Sequence, residues 1–127
     1  MIIKISFLFA SAGGGVAILL GAFGAHGLKG RIEERLIDAF QTGVQYQIYH
    51  CLALLIISIL MREGGRNLAL DLASYAFMLG VLLFSGSLYL LALTNIKWLG
   101  PITPIGGLCF ILGWSALLFS CFQSIDQ

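Results

Sequence analysis

The amino-acid sequence predicts an all-α integral membrane protein, a bundle of four transmembrane helices with a short interfacial amphipathic helix between spans one and two. Composition is the first reason, because the 127 residues are 59% hydrophobic, 10% charged and have a mean hydropathy of +0.97. Such a composition leaves a water-soluble domain without a polar surface. The second reason is the presence of four uncharged apolar stretches. Each has about 20 residues, the length that a helix needs to cross a bilayer.

The four spans are predicted at residues 5–25, 44–61, 72–93 and 103–122, with both termini on one side of the membrane. A strand-based barrel is excluded because its strands alternate apolar and polar residues, whereas residues 79–83 are apolar in succession. The connections between the spans are too short to hold a second domain. We therefore expect residues 1–127 to form one integral membrane domain.

The first span carries small residues at every fourth position, which places them on one face of a helix. In lipid, helices associate largely through close backbone approach, so a face of glycine and alanine predicts a helix–helix contact. The partner is either another span of the same chain or a second copy. The predicted packing residues of this face are Gly13, Ala17, Gly21 and Ala25.

Residues 29–42 form the predicted interfacial helix. Leu36 and Phe40 recur on one side, while Arg31, Glu34 and Asp38 occupy the other, which is helical periodicity. Opposite charges stand three or four residues apart and cancel, so the segment offers little attraction to anionic lipid. We interpret it as a brace between spans one and two that lies along the membrane surface.

Unusual polar residues collect toward one membrane face, mainly at the start of the second span. Two pairs there are spaced four residues apart, Gln45 with Tyr49 and Tyr46 with His50, so each pair shares a helix face. The predicted members of the cluster are His26, Gln45, Tyr46, Tyr49, His50, Ser85 and Tyr89. Two interpretations stay open: a polar cavity that binds a small molecule or moves protons, or an interhelical hydrogen-bond network that fixes the bundle.

The third and fourth spans carry glycines that predict further helix contacts, at Gly80, Gly106 and Gly113. A Thr–Pro pair predicts where the fourth span starts. The Thr103 side chain can cap the helix, and Pro104 then occupies its first position, where a missing N–H is harmless.

The histidines, serines and cysteines of the sequence do not form the pattern of a catalytic or metal site. Two histidines in separate segments, without a carboxylate in the membrane, fall short of a zinc site. The serines of the spans have no assignable base, and the three cysteines have neither disulfide nor metal spacing. We therefore predict no enzyme, no cofactor and no metal. The expected partner is membrane lipid, with a second copy or another membrane protein as further candidates and no nucleic acid.

Four segments together resemble the YgdD-like family of small bacterial inner-membrane proteins, which also has eukaryotic transmembrane relatives. These segments are residues 21–28 (GAFGAHGL), 40–54 (FQTGVQYQIYHCLAL), 85–94 (SGSLYLLALT) and 100–107 (GPITPIGG). The resemblance implies a multi-pass protein of the bacterial cytoplasmic membrane. It implies no catalytic or binding residues, because the family's function is unknown.

Two hypotheses about function follow. The leading one is a non-enzymatic membrane component that is structural or binds a partner or lipid. The alternative is a small transporter or proton-linked channel with a polar cavity around His26 and His50.

Overall fold

The computed structural model describes the backbone of residues 1–125 and the side chains of residues 1–123. Within that part of the chain the regular structure is helical. Four helices are long and apolar enough to cross a membrane, Ile2–Gly27, Glu34–Gly64, Leu68–Thr94 and Lys97–Gln123. The prediction of an all-α protein with four spans is therefore confirmed.

Two of the spans contain a wide π-helical turn. The first span is helix α1 (Ile2–Ala22) followed by the π-turn Phe23–Gly27, and the second is α2 (Glu34–Gly64). The third span consists of α3 (Leu68–Gly80), the π-turn Val81–Ser85 and α4 (Gly86–Thr94). After a 3₁₀ turn (Lys97–Leu99), the fourth span is α5 (Ile102–Ile125).

The predicted interfacial helix is not a separate element. From Glu34 onward its residues are the first turns of α2, which continues without a break into the membrane. The predicted helical faces are confirmed, because Leu36 and Phe40 are buried whereas Asp38 is exposed. The predicted break is missing because the residues around Gly43 include no helix-breaking proline, and Gly43 itself is closely packed. Residues 29–33 form the turn into α2.

The turn between α2 and α3 has a defined conformation. Gly65 ends α2 with a φ of 88°, a left-handed value that L side chains rarely adopt. Asn67 then caps α3, because its Oδ1 accepts a hydrogen bond of 2.8 Å from the backbone N–H of Leu70. Arg66 forms an ion pair with Asp71 in the first turn of α3. The third span therefore begins at Leu68, four residues before the predicted position 72.

The fourth span begins one residue earlier than predicted, and its threonine has a different role. Since α5 starts at Ile102, Thr103 lies inside the helix and does not cap it. The Thr103 hydroxyl forms a 2.6 Å hydrogen bond with the Ser87 hydroxyl and thereby joins α5 to α4. Pro104 is the third helical residue rather than the first, still within the turn where a missing N–H costs nothing.

Spans two and three form the centre of the bundle. Of the 18 most apolar consecutive residues in each span, 50% are buried in the second span and 44% in the third, against 17% in the first and 22% in the fourth. Helix α1 packs along α2, and α5 packs along α3. The outer helices consequently present most of their surface to lipid.

The contact between α1 and α2 is made of small residues. A Cβ atom added to Gly13 would lie 2.8 Å from the Cys51 Sγ, and one added to Gly21 would lie 3.3 Å from Val44. Ala17 is fully buried in the same face. The prediction is wrong at one position, Ala25, which is exposed. Its place is taken by the neighbouring Gly24, against Phe40, because the π-turn changes the angle between successive residues.

The contact between α5 and the third span pairs each glycine with a phenylalanine on the other helix. A Cβ atom added to Gly80 would lie 2.5 Å from the Phe110 ring, and Gly113 lies equally tightly against Phe77. Gly106 lies against the backbone of Phe84. The three pairs advance in opposite directions along the two helices, so they fix the register of an antiparallel contact.

Candidate functional site: an aromatic groove beside His50

His50 is buried near the middle of α2, with 4% of its surface exposed. Its Nδ1 lies 2.6 Å from the backbone oxygen of Tyr46, one turn earlier in the same helix. Its Nε2 lies 3.1 Å from the indole Nε1 of Trp114 on α5. Both ring nitrogens therefore have a partner inside the protein.

The two partners determine the protonation state of the imidazole. A backbone oxygen only accepts, so Nδ1 of His50 carries the hydrogen and donates it to Tyr46. The Trp114 indole only donates, so Nε2 must offer its lone pair. A protonated ring would direct a second N–H at the indole N–H, and the geometry therefore holds His50 neutral.

Aromatic rings enclose the imidazole. The Phe110 ring stacks on it with the ring centroids 3.5 Å apart and an interplanar angle of 7°. Phe77 and Trp114 meet it edge-on, at 5.2 and 6.0 Å. Tyr46 stacks on Phe84 at 4.5 Å and continues the row of rings toward the start of the span. The edge-on contacts of Phe77 and Trp114 are of the kind that aromatic pairs prefer, and together these rings form a continuous aromatic wall.

This wall borders the aromatic groove, a cavity of about 770 Å³ between α2 and α5. Its lining residues are Tyr46, Tyr49, His50, Phe84, Pro104, Gly107, Leu108, Phe110, Ile111 and Trp114. Leu108 and Ile111 are 60% and 61% exposed, so the groove opens on the outer surface of the bundle, within the apolar part of the spans. The hydroxyls of Tyr46 and Tyr49 have no hydrogen-bond partner among the described residues. The groove thus offers an apolar channel with two free donors.

A second polar arrangement lies between α1, α2 and the third span. Gln47 donates to the backbone oxygen of Gly13 over 2.7 Å, and its Oε1 accepts from the Tyr89 hydroxyl, also over 2.7 Å. The Ser85 hydroxyl, in the π-turn, donates to the backbone oxygen of Gly43 over 2.6 Å. These bonds join three spans and give each participating polar group a partner within the protein, as expected for structural hydrogen bonds in lipid.

The predicted polar residues therefore fall into separate groups. Tyr46, Tyr49 and His50 line the aromatic groove, whereas Ser85 and Tyr89 belong to the second arrangement. Gln45 is exposed and joins neither group. Its spacing placed it beside Tyr49, but the glutamines of α2 that bond to the first span are Gln41 and Gln47.

The prediction that His26 and His50 belong to one polar cluster is corrected by the length of the first span. His26 is exposed in the π-turn that ends the span, close to where Gly24 meets Phe40. Gly13, which is level with Gln47, is 13 residues earlier, a separation of about 20 Å along the helix. The two histidines therefore do not share a site.

Sequence reasoning missed Gln47, Phe110 and Trp114 as members of these groups. Trp114 carried a signal, since tryptophan is enriched at the membrane interface and this one lies in the middle of a span. Gln47 and Phe110 carried none, because their roles depend on which faces of the helices meet.

The fold and the site define a class: a four-span helical membrane protein with hydrogen bonds between its spans and a laterally open groove. The comparisons with known proteins agree with this class. The family model described as "Protein of unknown function (DUF423)" matches residues 20–107. The chain belongs to this family.

Named relatives match most of the length of the chain. The "UPF0382 membrane protein SH2409" of Staphylococcus haemolyticus is 48% identical over 83% of this chain and 84% of its own. The "UPF0382 membrane protein YwdK" of Bacillus subtilis is 40% identical over 94% of this chain and 98% of its own. No solved structure matches. The protein is thus a membrane protein of a family whose biochemical function is unknown.

Proposed function

We propose that the protein is a non-enzymatic component of the bacterial cytoplasmic membrane that binds a glycerolipid in the aromatic groove. One acyl chain lies between α2 and α5, and an ester carbonyl accepts a hydrogen bond from Tyr46 or Tyr49. We also propose that the chain is one of the YgdD-like proteins, which its residues 21–28 and 40–54 resemble. The observation that carries it is a groove of about 770 Å³ that opens toward lipid and contains two phenol hydroxyls without partners.

The depth of the tyrosines supports an ester as the acceptor. Tyr46 lies two residues, about 3 Å, inside the apolar stretch that begins at Val44. Side chains on a helix lean toward its N-terminus, so the Tyr46 hydroxyl is directed to the headgroup side, where the ester carbonyls of a glycerolipid lie. A hydroxyl without a partner at this depth is costly, and a lipid carbonyl would satisfy it.

The same geometry favours lipid binding over the transporter hypothesis. Proton transfer through His50 requires a free ring nitrogen, and both nitrogens have partners in the protein. The second histidine of that hypothesis, His26, lies about 20 Å away along α1. The groove opens sideways, toward lipid, at the level of Leu108 and Ile111.

A photoactivatable lipid tests the proposal. The protein is reconstituted into bilayers with a phosphatidylethanolamine that carries a diazirine on one acyl chain, irradiated and mapped by mass spectrometry. We expect adducts to concentrate at Leu108 and Ile111 over the lipid-facing residues of α1. Adducts spread evenly around the bundle would contradict the proposal.

Gly107 offers a variant that fills the groove without disturbing the fold. A Cβ atom added there would lie 3.9 Å from the Phe84 ring, an ordinary contact. Gly107→Leu should therefore reduce labelling of the groove to the level of α1 while the unfolding temperature is retained. Gly15→Leu is the matched control, because Gly15 is exposed and has nothing within 4 Å of its added Cβ. Unchanged groove labelling in Gly107→Leu would also count against the proposal.

A further inference from the structure

A second groove lies at the opposite end of the second span, where the start of α1 meets the end of α2. It has a volume of about 490 Å³. Its wall includes two cationic side chains, Lys4 and Arg62, and three apolar ones, Phe7, Leu8 and Ile59. We call it the basic groove. It shares no residue with the aromatic groove.

The positive charges of the basic groove have no counter-charge among the described residues. Among the described residues, the ion pairs are Arg35 with Glu33 and Arg66 with Asp71, so neither Lys4 nor Arg62 is paired. The Asp71 carboxylate is engaged by Arg66. Glu63 follows Arg62, but neighbouring residues on a helix are about 100° apart and do not face each other.

The apolar part of the basic groove continues from the charges into the membrane. Phe7, Leu8 and Ile59 are 50%, 57% and 53% exposed, so they form an open surface between two helices. Leu8 lies one helical turn beyond Lys4, and Ile59 lies just under one turn before Arg62. Cations at the membrane edge and an apolar surface one turn deeper match the shape of an anionic lipid.

We propose that the basic groove binds an anionic glycerophospholipid. Its phosphate lies between Lys4 and Arg62, and one of its acyl chains lies against Phe7, Leu8 and Ile59. Arginine suits this role because its planar guanidinium can donate two parallel hydrogen bonds to a phosphate. Cations at the membrane surface also attract anionic headgroups more strongly than neutral ones. This inference does not depend on the lipid proposed for the aromatic groove.

Native mass spectrometry of the delipidated protein in a neutral detergent tests the inference. Phosphatidylglycerol and phosphatidylcholine with the same acyl chains are added at equal concentration. We expect the protein to retain one phosphatidylglycerol in preference to phosphatidylcholine. Lys4→Gln combined with Arg62→Gln should weaken phosphatidylglycerol retention by about 30-fold, on the scale of two interfacial cations, and leave phosphatidylcholine retention unchanged.

Lys29→Gln combined with Arg31→Gln is the matched control, since it removes the same charge from exposed residues at the other membrane face. The control should keep the preference for phosphatidylglycerol. An equal loss in both double variants would show general charge attraction and overturn the inference. A wild-type protein without any preference would overturn it as well.

Two further measurements distinguish a lipid phosphate from free phosphate, and the basic groove from the aromatic groove. Inorganic phosphate should not displace the lipid, because it lacks the chain that contacts Phe7 and Leu8. Displacement by phosphate at the lipid's own concentration would contradict a lipid site. Gly107→Leu, which fills the aromatic groove, should keep its preference for phosphatidylglycerol, and loss of the preference there would contradict a separate basic groove.

Discussion

The two outer helices are attached to the centre of the bundle by different means. The α1–α2 contact uses small residues together with hydrogen bonds from glutamines to backbone oxygens, Gln47 to Gly13 and Gln41 to Gly21. The contact of α5 with α3 uses shape, with phenylalanine rings seated on glycines. The hydrogen bond from Trp114 adds a contact of α5 to His50 on α2.

The difference shows two ways to associate helices in a solvent as apolar as their side chains. Burial of leucine against leucine gains little in lipid. In the α1–α2 contact, a polar side chain that would have no partner in lipid forms a hydrogen bond to the other helix. In the contact of α5, closely fitting surfaces gain dispersion energy. The first depends on a few atoms, while the second depends on the volume of each residue at the contact.

The largest effect is expected from filling a glycine of the contact between α5 and the third span. In Gly106→Val the new side chain would overlap the backbone of Phe84, which cannot move as a side chain can. We expect a loss of about 3 kcal/mol of unfolding free energy, measured by thermal or SDS unfolding in detergent with circular dichroism.

Gly107→Val is the control for this prediction, because the adjacent position has room for a Cβ. Its stability should stay close to that of the wild type. An equal loss of unfolding free energy in both variants would mean that the close fit at Gly106 does not stabilise the packing of α5.

A medium effect is expected in the hydrogen-bonded contact. Gln47→Leu removes the bond to Gly13 and leaves the Tyr89 hydroxyl without its acceptor. The loss should be about 1–2 kcal/mol, the range of interhelical hydrogen bonds in membranes. Gln45→Leu, at an exposed position of the same helix, should cost little.

A double-mutant cycle refines the Gln47 prediction. Combined with Tyr89→Phe, Gln47→Leu should show a coupling energy of about 0.6 kcal/mol. Additive losses would mean that the bond between Gln47 and Tyr89 contributes nothing to stability.

The smallest effects compare two buried serines. Ser85 donates to the backbone oxygen of Gly43, so Ser85→Ala should cost about 1 kcal/mol. Ser74 is fully buried with no partner for its hydroxyl, so Ser74→Ala should be neutral or slightly stabilising. Both variants are measured by the same unfolding assay. A greater loss in Ser74→Ala would reveal a hydrogen bond that the structure does not contain.

The sequence predicted the spans better than it predicted the candidate site. Residues 103–122 predicted the fourth helix to within a few residues of its observed bounds, Ile102–Ile125. The polar cluster was predicted partly, since Tyr46 and His50 do line one groove. Gln45 was placed with them by its spacing from Tyr49, and His26 by its position at the end of the first span. Neither criterion reveals how far a helix is rotated or shifted against its neighbours.

The sequence by itself determined that this is a helical membrane protein with four spans. Length and apolarity belong to each segment separately, and lipid requires each segment to satisfy its own backbone as a helix. Only the tertiary structure decided that His50 bonds to Trp114, 64 residues away, while Gln47 bonds to Gly13. Such contacts depend on the rotation and register of packed helices, which follow from the fit of many side chains at once.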